Sequence, residues 1–121
     1  MGYESKLYIC EGGRSLTDQN GMKFAPIIAM LNLSKTGMDE VAEVCYSSPE
    51  TKYYIYADDG NTKILEDRYG EKLREVDIDL LISAMSEENR RGYYRRYQMA
   101  IGVLETAKKD FRNPVVLHFG Y

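Results

Sequence analysis

The sequence predicts an α+β fold, with a mostly antiparallel sheet of about five strands and two or three helices packed on one face. At 121 residues the chain is the right size for one core, so we assign residues 1–121 to a single domain. Strand-like runs occur in pairs around turn residues, whereas helical apolar spacing is concentrated between residues 77 and 111. Grouped strands and grouped helices are typical of the α+β class.

The first two strands are predicted in the N-terminal third of the chain. Residues 3–10 alternate between two faces, which is the strand pattern, and Gly12-Gly13 ends the run. A polar loop with an Asn20-Gly21 turn leads to residues 24–33, an apolar run of strand length. Pro26 cannot donate a backbone hydrogen bond, so we expect it at the start or on the edge of that strand.

A short helix is predicted next. Thr36 and Asp39 match a capping box, and Pro49 closes the segment. The apolar residues between them follow helical spacing: Met38, Val41, Ala42 and Cys45.

A hairpin and a third short strand follow this helix. Residues 52–57 and 62–68 flank Asp58-Asp59-Gly60-Asn61, and two β-rich runs around an Asp-Gly turn predict a hairpin. Residues 73–76 are predicted as another short strand. Asp77 is then the expected N-cap of a helix that carries Ile78, Leu81, Ile82 and Met85 on one face.

The longest helix is predicted over residues 86–111, about six turns. Ser86 is the expected N-cap, and Asn113-Pro114 stops the helix. One stripe carries apolar residues three or four positions apart: Tyr93, Tyr97, Ala100, Leu104, Ala107 and Phe111. Residues 115–119 are β-branched and apolar, and are predicted as the last strand.

The sequence also predicts the cellular compartment of the protein and the redox state of its two cysteines. No apolar run approaches the roughly 18 residues that a membrane span needs, and the N-terminus lacks the pattern of a signal peptide. We therefore expect a cytoplasmic protein with no membrane partner. Cys10 and Cys45 are expected to be free buried thiols rather than a disulfide.

Charge is divided between two parts of the chain, although the total is only −3. Residues 39–79 contain twelve acids and five bases, which sum to −7, and residues 90–112 contain seven bases and two acids, which sum to +5. One interpretation is that the two regions neutralise each other in the fold. The other is that an acidic or a basic face is presented to a partner.

An arginine–tyrosine cluster is the most distinctive candidate site. Arginine binds phosphate or carboxylate with two parallel hydrogen bonds and tyrosine stacks on bases, so Arg91, Tyr94, Arg95 and Arg96 could bind a nucleotide or nucleic acid. The alternative is that neighbouring acids pair with these arginines. A sequence pI near 5.2 makes nucleic acid the less favoured partner.

Catalytic and metal signatures are weak. The acids around the hairpin lack EF-hand spacing, so we interpret them as solvated turn residues and expect neither metal nor cofactor. His118, the one histidine, could form a dyad with Cys10 or Cys45, but no local motif supports this, and a core or edge role is the simpler interpretation. We expect a protein that is not an enzyme.

Five segments of the chain carry a resemblance to a known group: MGYESKLY (1–8), YADDGNT (56–62), EDRYG (66–70), YRRY (94–97) and VLHFGY (116–121). Together they resemble small, functionally uncharacterised proteins encoded by phages and prophages of Gram-positive bacteria. The resemblance implies a binding role, and some small phage proteins inhibit host defences such as CRISPR nucleases. It assigns no function to any individual residue.

The functional prediction is an accessory protein that binds a protein partner, with inhibition of a host nuclease by an acidic, DNA-mimicking surface as its most concrete form. The residues expected to contact the partner are hairpin acids and exposed tyrosines, namely Asp58, Asp59, Glu66, Asp67, Tyr53, Tyr54 and Tyr69. A nucleic-acid-binding module built on the arginine–tyrosine cluster is the alternative, and self-association is left open.

Overall fold

The computed structural model describes residues 5–12, 21–34, 36, 38–47, 53–56, 63–64, 73–91 and 95–120. Its elements in chain order are β1 (Ser5–Glu11), β2 (Lys23–Phe24), β3 (Ile27–Asn32), α1 (Met38–Glu43), β4 (Tyr53–Tyr56), β5 (Lys63–Ile64), β6 (Arg74–Glu75), α2 (Ile78–Arg91), α3 (Arg95–Asp110) and β7 (Pro114–Gly120). The α+β class predicted from sequence is confirmed. None of these described helices is both long and apolar enough to cross a membrane.

The main sheet has four antiparallel strands in the order β3-β1-β7-β6. The first and last strands of the chain are its central pair, and their register places Leu7 opposite His118. A second sheet has the order β2-β4-β5, with β2 parallel to β4 and β4 antiparallel to β5. The pairing of Ile55 with Ile64 confirms the predicted hairpin, whose turn lies outside the described residues.

The apolar run at residues 24–33 is divided between the two sheets, which corrects the prediction of one strand. Phe24 belongs to β2 in the second sheet, and Ile27 begins β3 in the main sheet. Pro26 stands between them and has no backbone N–H for a ladder. Pro26 was expected at the start or on the edge of that single strand; it lies instead directly before β3, which is the outer strand of its sheet.

The single helix predicted over residues 86–111 is wrong. Ser86 lies inside α2, and α3 begins only at Arg95. The N-cap of α2 is Asp77, as predicted, since its Oδ1 accepts from the Leu80 N–H at 2.9 Å. Apolar spacing continues through both helices, so periodicity alone did not reveal the interruption, although Gly92 is a residue type that favours helix ends.

Two apolar clusters lie on opposite faces of the main sheet, because alternate residues of a strand point to opposite sides. The first joins Leu7, Ile9 and Val116 to all three helices, including Met38 and Ala42 of α1, Leu81 and Met85 of α2, and Tyr97, Ala100, Leu104 and Ala107 of α3. The second joins Cys10, Val115 and Leu117 to Ala25, Ile55 and Leu73. Both faces of the main sheet are therefore covered by apolar residues at these positions.

Candidate functional site

A buried polar cluster lies where the two ends of the chain meet. Ser5 opens β1 and His118 lies near the end of β7, and the strand register puts both on one sheet face. The Ser5 Oγ is 2.7 Å from His118 Nε2, and the Tyr46 hydroxyl is 2.9 Å from His118 Nδ1. Ser5 is 2% exposed and His118 6% exposed. Both nitrogens of the imidazole are therefore hydrogen-bonded inside the protein.

Tyr46 has a second partner, the side chain of Arg74. The Arg74 Cζ lies 4.8 Å from the centre of the Tyr46 ring, a cation–π contact. Tyr46 also forms an isolated antiparallel bridge with Val76, so the segment after α1 adjoins β6. The tyrosine ring thus contacts the guanidinium of Arg74, and its centre lies 6.1 Å from that of the His118 imidazole.

The distance between Ser5 and His118 is that of a catalytic nucleophile and its base, but a substrate cannot reach the buried Ser5 hydroxyl. In a hydrolase the serine oxygen must reach a substrate carbonyl, and a third group, usually a carboxylate, orients the histidine. Here Tyr46 occupies that third position, and Ser5 is closed to solvent. What this arrangement does is satisfy three buried or half-buried polar groups at once, which fixes the ends of β1 and β7 to the segment after α1.

The cluster continues from Ser5 to the start of α3. The Ser5 N–H donates to Ser34 Oγ at 3.0 Å, and the Leu33 N–H donates to the Ser5 carbonyl at 2.8 Å. Arg96 Nη1 donates to the Ser34 carbonyl at 2.7 Å, and the Tyr97 hydroxyl donates to the Thr36 carbonyl at 2.7 Å. These bonds attach the first turn of α3 to the segment that follows β3.

No protein-family model, curated protein or solved structure matches this chain.

The arginine–tyrosine cluster is only partly described. Arg95 and Arg96 are exposed on the first turn of α3, and Arg96 uses one nitrogen to bind the Ser34 carbonyl. Arg91 ends α2, but its side chain, like the whole of Tyr94, lies outside the described residues. The convergence of these four residues on an anion therefore stays a prediction, and one arginine has an internal partner.

The acidic hairpin is described only in its strands. Asp58, Asp59, Glu66, Asp67 and Tyr69 lie outside the described residues, so their role in binding stays a prediction.

Two of the three tyrosines predicted to contact a partner are described, and both are less exposed than expected. Tyr54 is buried, with its ring 5.7 Å from Phe24 and 5.6 Å from Tyr56, so its expected place on an exposed binding surface is wrong. The reason is the parallel pairing with β2, which covers the strand. Tyr53 is half-buried, and its hydroxyl accepts from Asn113 Nδ2 at 3.3 Å.

A described ion pair, between Lys108 and Asp79, joins the two oppositely charged regions. Lys108 of the basic region donates to Asp79 of the acidic region, and this hydrogen bond raises the pKa of Lys108. The pair lies in an open groove between α2 and α3 that is lined by Asp79, Ile82, Ser83, Glu105, Lys108 and Lys109. Two acids and two lysines line this groove, and the pairing of Lys108 with Asp79 partly neutralises the two regions here.

Both cysteines are free and buried, as predicted. Burial raises the pKa of the Cys10 thiol from its ordinary value of 9.0 to about 12, and burial together with the charge of Asp77 raises that of Cys45. Cys10 also lies on the opposite sheet face from His118, whose described partners are hydroxyls. Within the described part of the chain, no three side chains of the metal-binding types gather into a group.

Sequence reasoning missed Ser5 and Tyr46 as the partners of His118. A signal was present for Ser5, because it shares its strand face with Leu7 and Ile9 and a polar residue on such a face needs a hydrogen-bond partner. His118 carries the same signal within residues 115–119. Nothing in the local sequence distinguishes Tyr46 from the other tyrosines.

Proposed function

We propose that this chain is a non-enzymatic accessory protein, of the kind phages encode, that binds and inhibits a host defence nuclease through an acidic surface. The observation that carries the proposal is the charge of −7 over residues 39–79, from twelve acids and five bases. Of its described acids, Glu43 and Asp79 are exposed. A nuclease holds DNA in a positively charged channel, which a dense acidic surface can occupy in place of phosphate.

The state of His118 supports a binding role over catalysis. A general base needs a free nitrogen that faces a substrate. Both nitrogens of this imidazole have hydroxyl partners, and the side chain is buried. The protein acts in the cytoplasm, where its target works and where the free thiols Cys10 and Cys45 stay reduced.

The partner is identified by a tagged pull-down from lysate of a Gram-positive host, with and without nuclease treatment. One DNA-binding nuclease that is retained after treatment is the expected result. Capture that disappears with treatment instead favours nucleic-acid binding by Arg91, Tyr94, Arg95 and Arg96. The purified complex is then challenged with duplex DNA, which should displace the chain because both occupy one site. A complex that DNA cannot displace contradicts DNA mimicry.

Charge reversal tests the hairpin directly. The double variant Asp58→Lys with Asp59→Lys should weaken the affinity for the captured nuclease by more than about tenfold. The two new lysines would repel the positively charged channel that the two acids attract. The melting temperature should stay nearly the same, because the sequence predicts both acids in a solvated turn. The control is Glu105→Lys with Asp110→Lys, which changes two exposed acids of α3 and alters the net charge equally. Equal losses in the two double variants would remove the hairpin from the interface.

A further inference from the structure

The two edge strands of the main sheet, β6 and β3, differ in length, in charge and in whether another segment covers them. At one edge β6 has two residues, both charged, Arg74 and Glu75. The Ser47 N–H donates to the Glu75 carbonyl at 2.9 Å, so the segment after α1 covers this edge. At the other edge β3 has six residues and no charge. In the described part of the chain, no strand pairs with the outer side of β3.

The hydrogen bonds between β1 and β3 show which backbone N–H and C=O groups of β3 point away from the sheet. The Leu33 N–H donates to the Ser5 carbonyl, and bonding in an antiparallel pair alternates along the strand. Leu31 and Ala29 therefore face β1, and the backbone N–H and C=O groups of Met30 and Asn32 point away from the sheet. These groups form a short open template for another strand.

The side chains at this edge are unusually apolar for a surface. Ile28 is 51% exposed and Met30 48% exposed. No charged residue occurs from residue 24 to residue 34. Proteins usually protect an exposed edge strand with charges, especially lysine. Within the described residues, the protection of this edge consists of Pro26 and an irregularity in the ladder between Ile9 and Cys10, both near the start of the strand.

We propose that β3 pairs antiparallel with β3 of a second copy of this chain, so that the two main sheets form one continuous sheet. The neutral edge suits this occupant, because two identical strands meet without like-charge repulsion. In an antiparallel pair centred near Ala29, Ile28 of one copy lies beside Met30 of the other, an apolar cross-strand contact. Because the β6 edge is covered, the assembly closes at two copies and does not extend into a fibre.

The size of the contact sets its strength. One strand of six residues is a small contact surface, whereas a stable interface buries roughly 1,200 Å² or more. The dimer is therefore concentration-dependent, and its subunits are folded monomers when dilute. This proposal rests on β3 alone and does not depend on the acidic region or on its target.

The test is sedimentation equilibrium of the full chain from micromolar to millimolar concentration. Wild type is expected to shift from monomer to dimer, and Met30→Lys is expected to weaken the dimer by about tenfold or more. Met99→Lys is the matched control, because Met99 is 74% exposed on α3, away from the edge. A wild type that stays monomeric throughout, or equal association of the two variants, overturns the proposal.

Two further measurements identify the strand and guard against misfolding. Circular dichroism must show that Met30→Lys keeps the wild-type melting temperature, and Ile28→Lys replaces it if it does not. A mixture of Met30→Lys and Met30→Glu should form a mixed dimer, because the two side chains lie near each other across the two-fold axis. Absence of the mixed dimer contradicts pairing of β3 with itself.

Discussion

His118 is the residue at which the two ends of the chain are joined. Its imidazole bonds to Ser5 of β1 and to Tyr46 after α1, and both it and Ser5 are buried. A neutral imidazole has one donor and one acceptor, so one hydroxyl donates to it and the other accepts from it. Removing either hydroxyl leaves a polar nitrogen of the ring without its partner.

Replacing Ser5 should therefore destabilise the fold. We expect Ser5→Ala to lower the free energy of unfolding by about 1–3 kcal/mol, because the buried His118 Nε2 loses its hydrogen bond to the Ser5 hydroxyl. Urea denaturation measures the change. Ser83→Ala is the matched control at an exposed position of α2, and it should stay within about 0.5 kcal/mol of wild type. If the two variants unfold alike, the Ser5–His118 bond does not stabilise the protein.

The Cys10 thiol makes stability depend on alkaline pH. Its pKa is about 12 in the folded chain against an ordinary 9.0, because burial disfavours the thiolate. Below pH 9 the thiol is protonated in both states and contributes no pH dependence. Between these values only the unfolded state releases the proton, so stability falls by up to about 1.4 kcal/mol per pH unit.

This slope is isolated by comparing wild type with Cys10→Ala in urea between pH 9 and pH 11. Tyrosines and lysines titrate in the same range, but they are common to both proteins. The stability of wild type should fall more steeply with pH than that of the variant. Parallel slopes would show that the thiol ionises equally in the folded and unfolded states.

At the scale of elements, the start of α2 is the best defined helix end. Asp77 Oδ1 accepts from the Leu80 N–H at 2.9 Å, which satisfies one of the free N–H groups of the first turn. We expect Asp77→Ala to lower the free energy of unfolding by about 1 kcal/mol. Glu105→Ala, which removes an exposed acid within α3, should change it by less than about 0.5 kcal/mol. Thermal and urea unfolding both measure the difference.

The two edge strands, β3 and β6, differ in how accessible they are to a partner. β3 and β6 are both edges of the main sheet, but only β6 is short, charged and covered by a neighbouring segment. The uncharged edge of β3 is therefore the surface on which we place a second copy. Its sequence predicts an apolar strand with Pro26 at the start or on the edge, but does not show which side of the strand stays exposed.

At the scale of the whole molecule, the central pair β1 and β7 contributes to both apolar clusters. The ends of the chain are thus built into the middle of the fold. A dimer through β3 carries two copies of the acidic region, and two sites on one target can raise the avidity without any new contact. The two proposals are tested separately, because the β3 variants leave the hairpin acids unchanged.

The elements that sequence predicted well depend on neighbouring residues. Alternation over β1, the hairpin of β4 and β5, the Asp77 cap and the short helix α1 all follow from residues within about four positions of each other. The candidate site was predicted less well. His118 was singled out, but its partner Ser5 was not, and Tyr54 was placed on the surface although β2 covers it.

The sequence by itself determined the α+β class, the order of most elements and the free, buried state of both cysteines. These properties depend on apolar periodicity, turn chemistry and capping, which act locally. Only the tertiary structure decided the division into α2 and α3, the separation of β2 from β3, the partners of His118 and the open edge at β3. Pro26 and Gly92 mark two of these boundaries locally, but the partners of His118 and the position of β3 at the sheet edge depend on contacts between distant residues. Ser5 and His118, for example, are 113 positions apart, and no local pattern encodes such a contact.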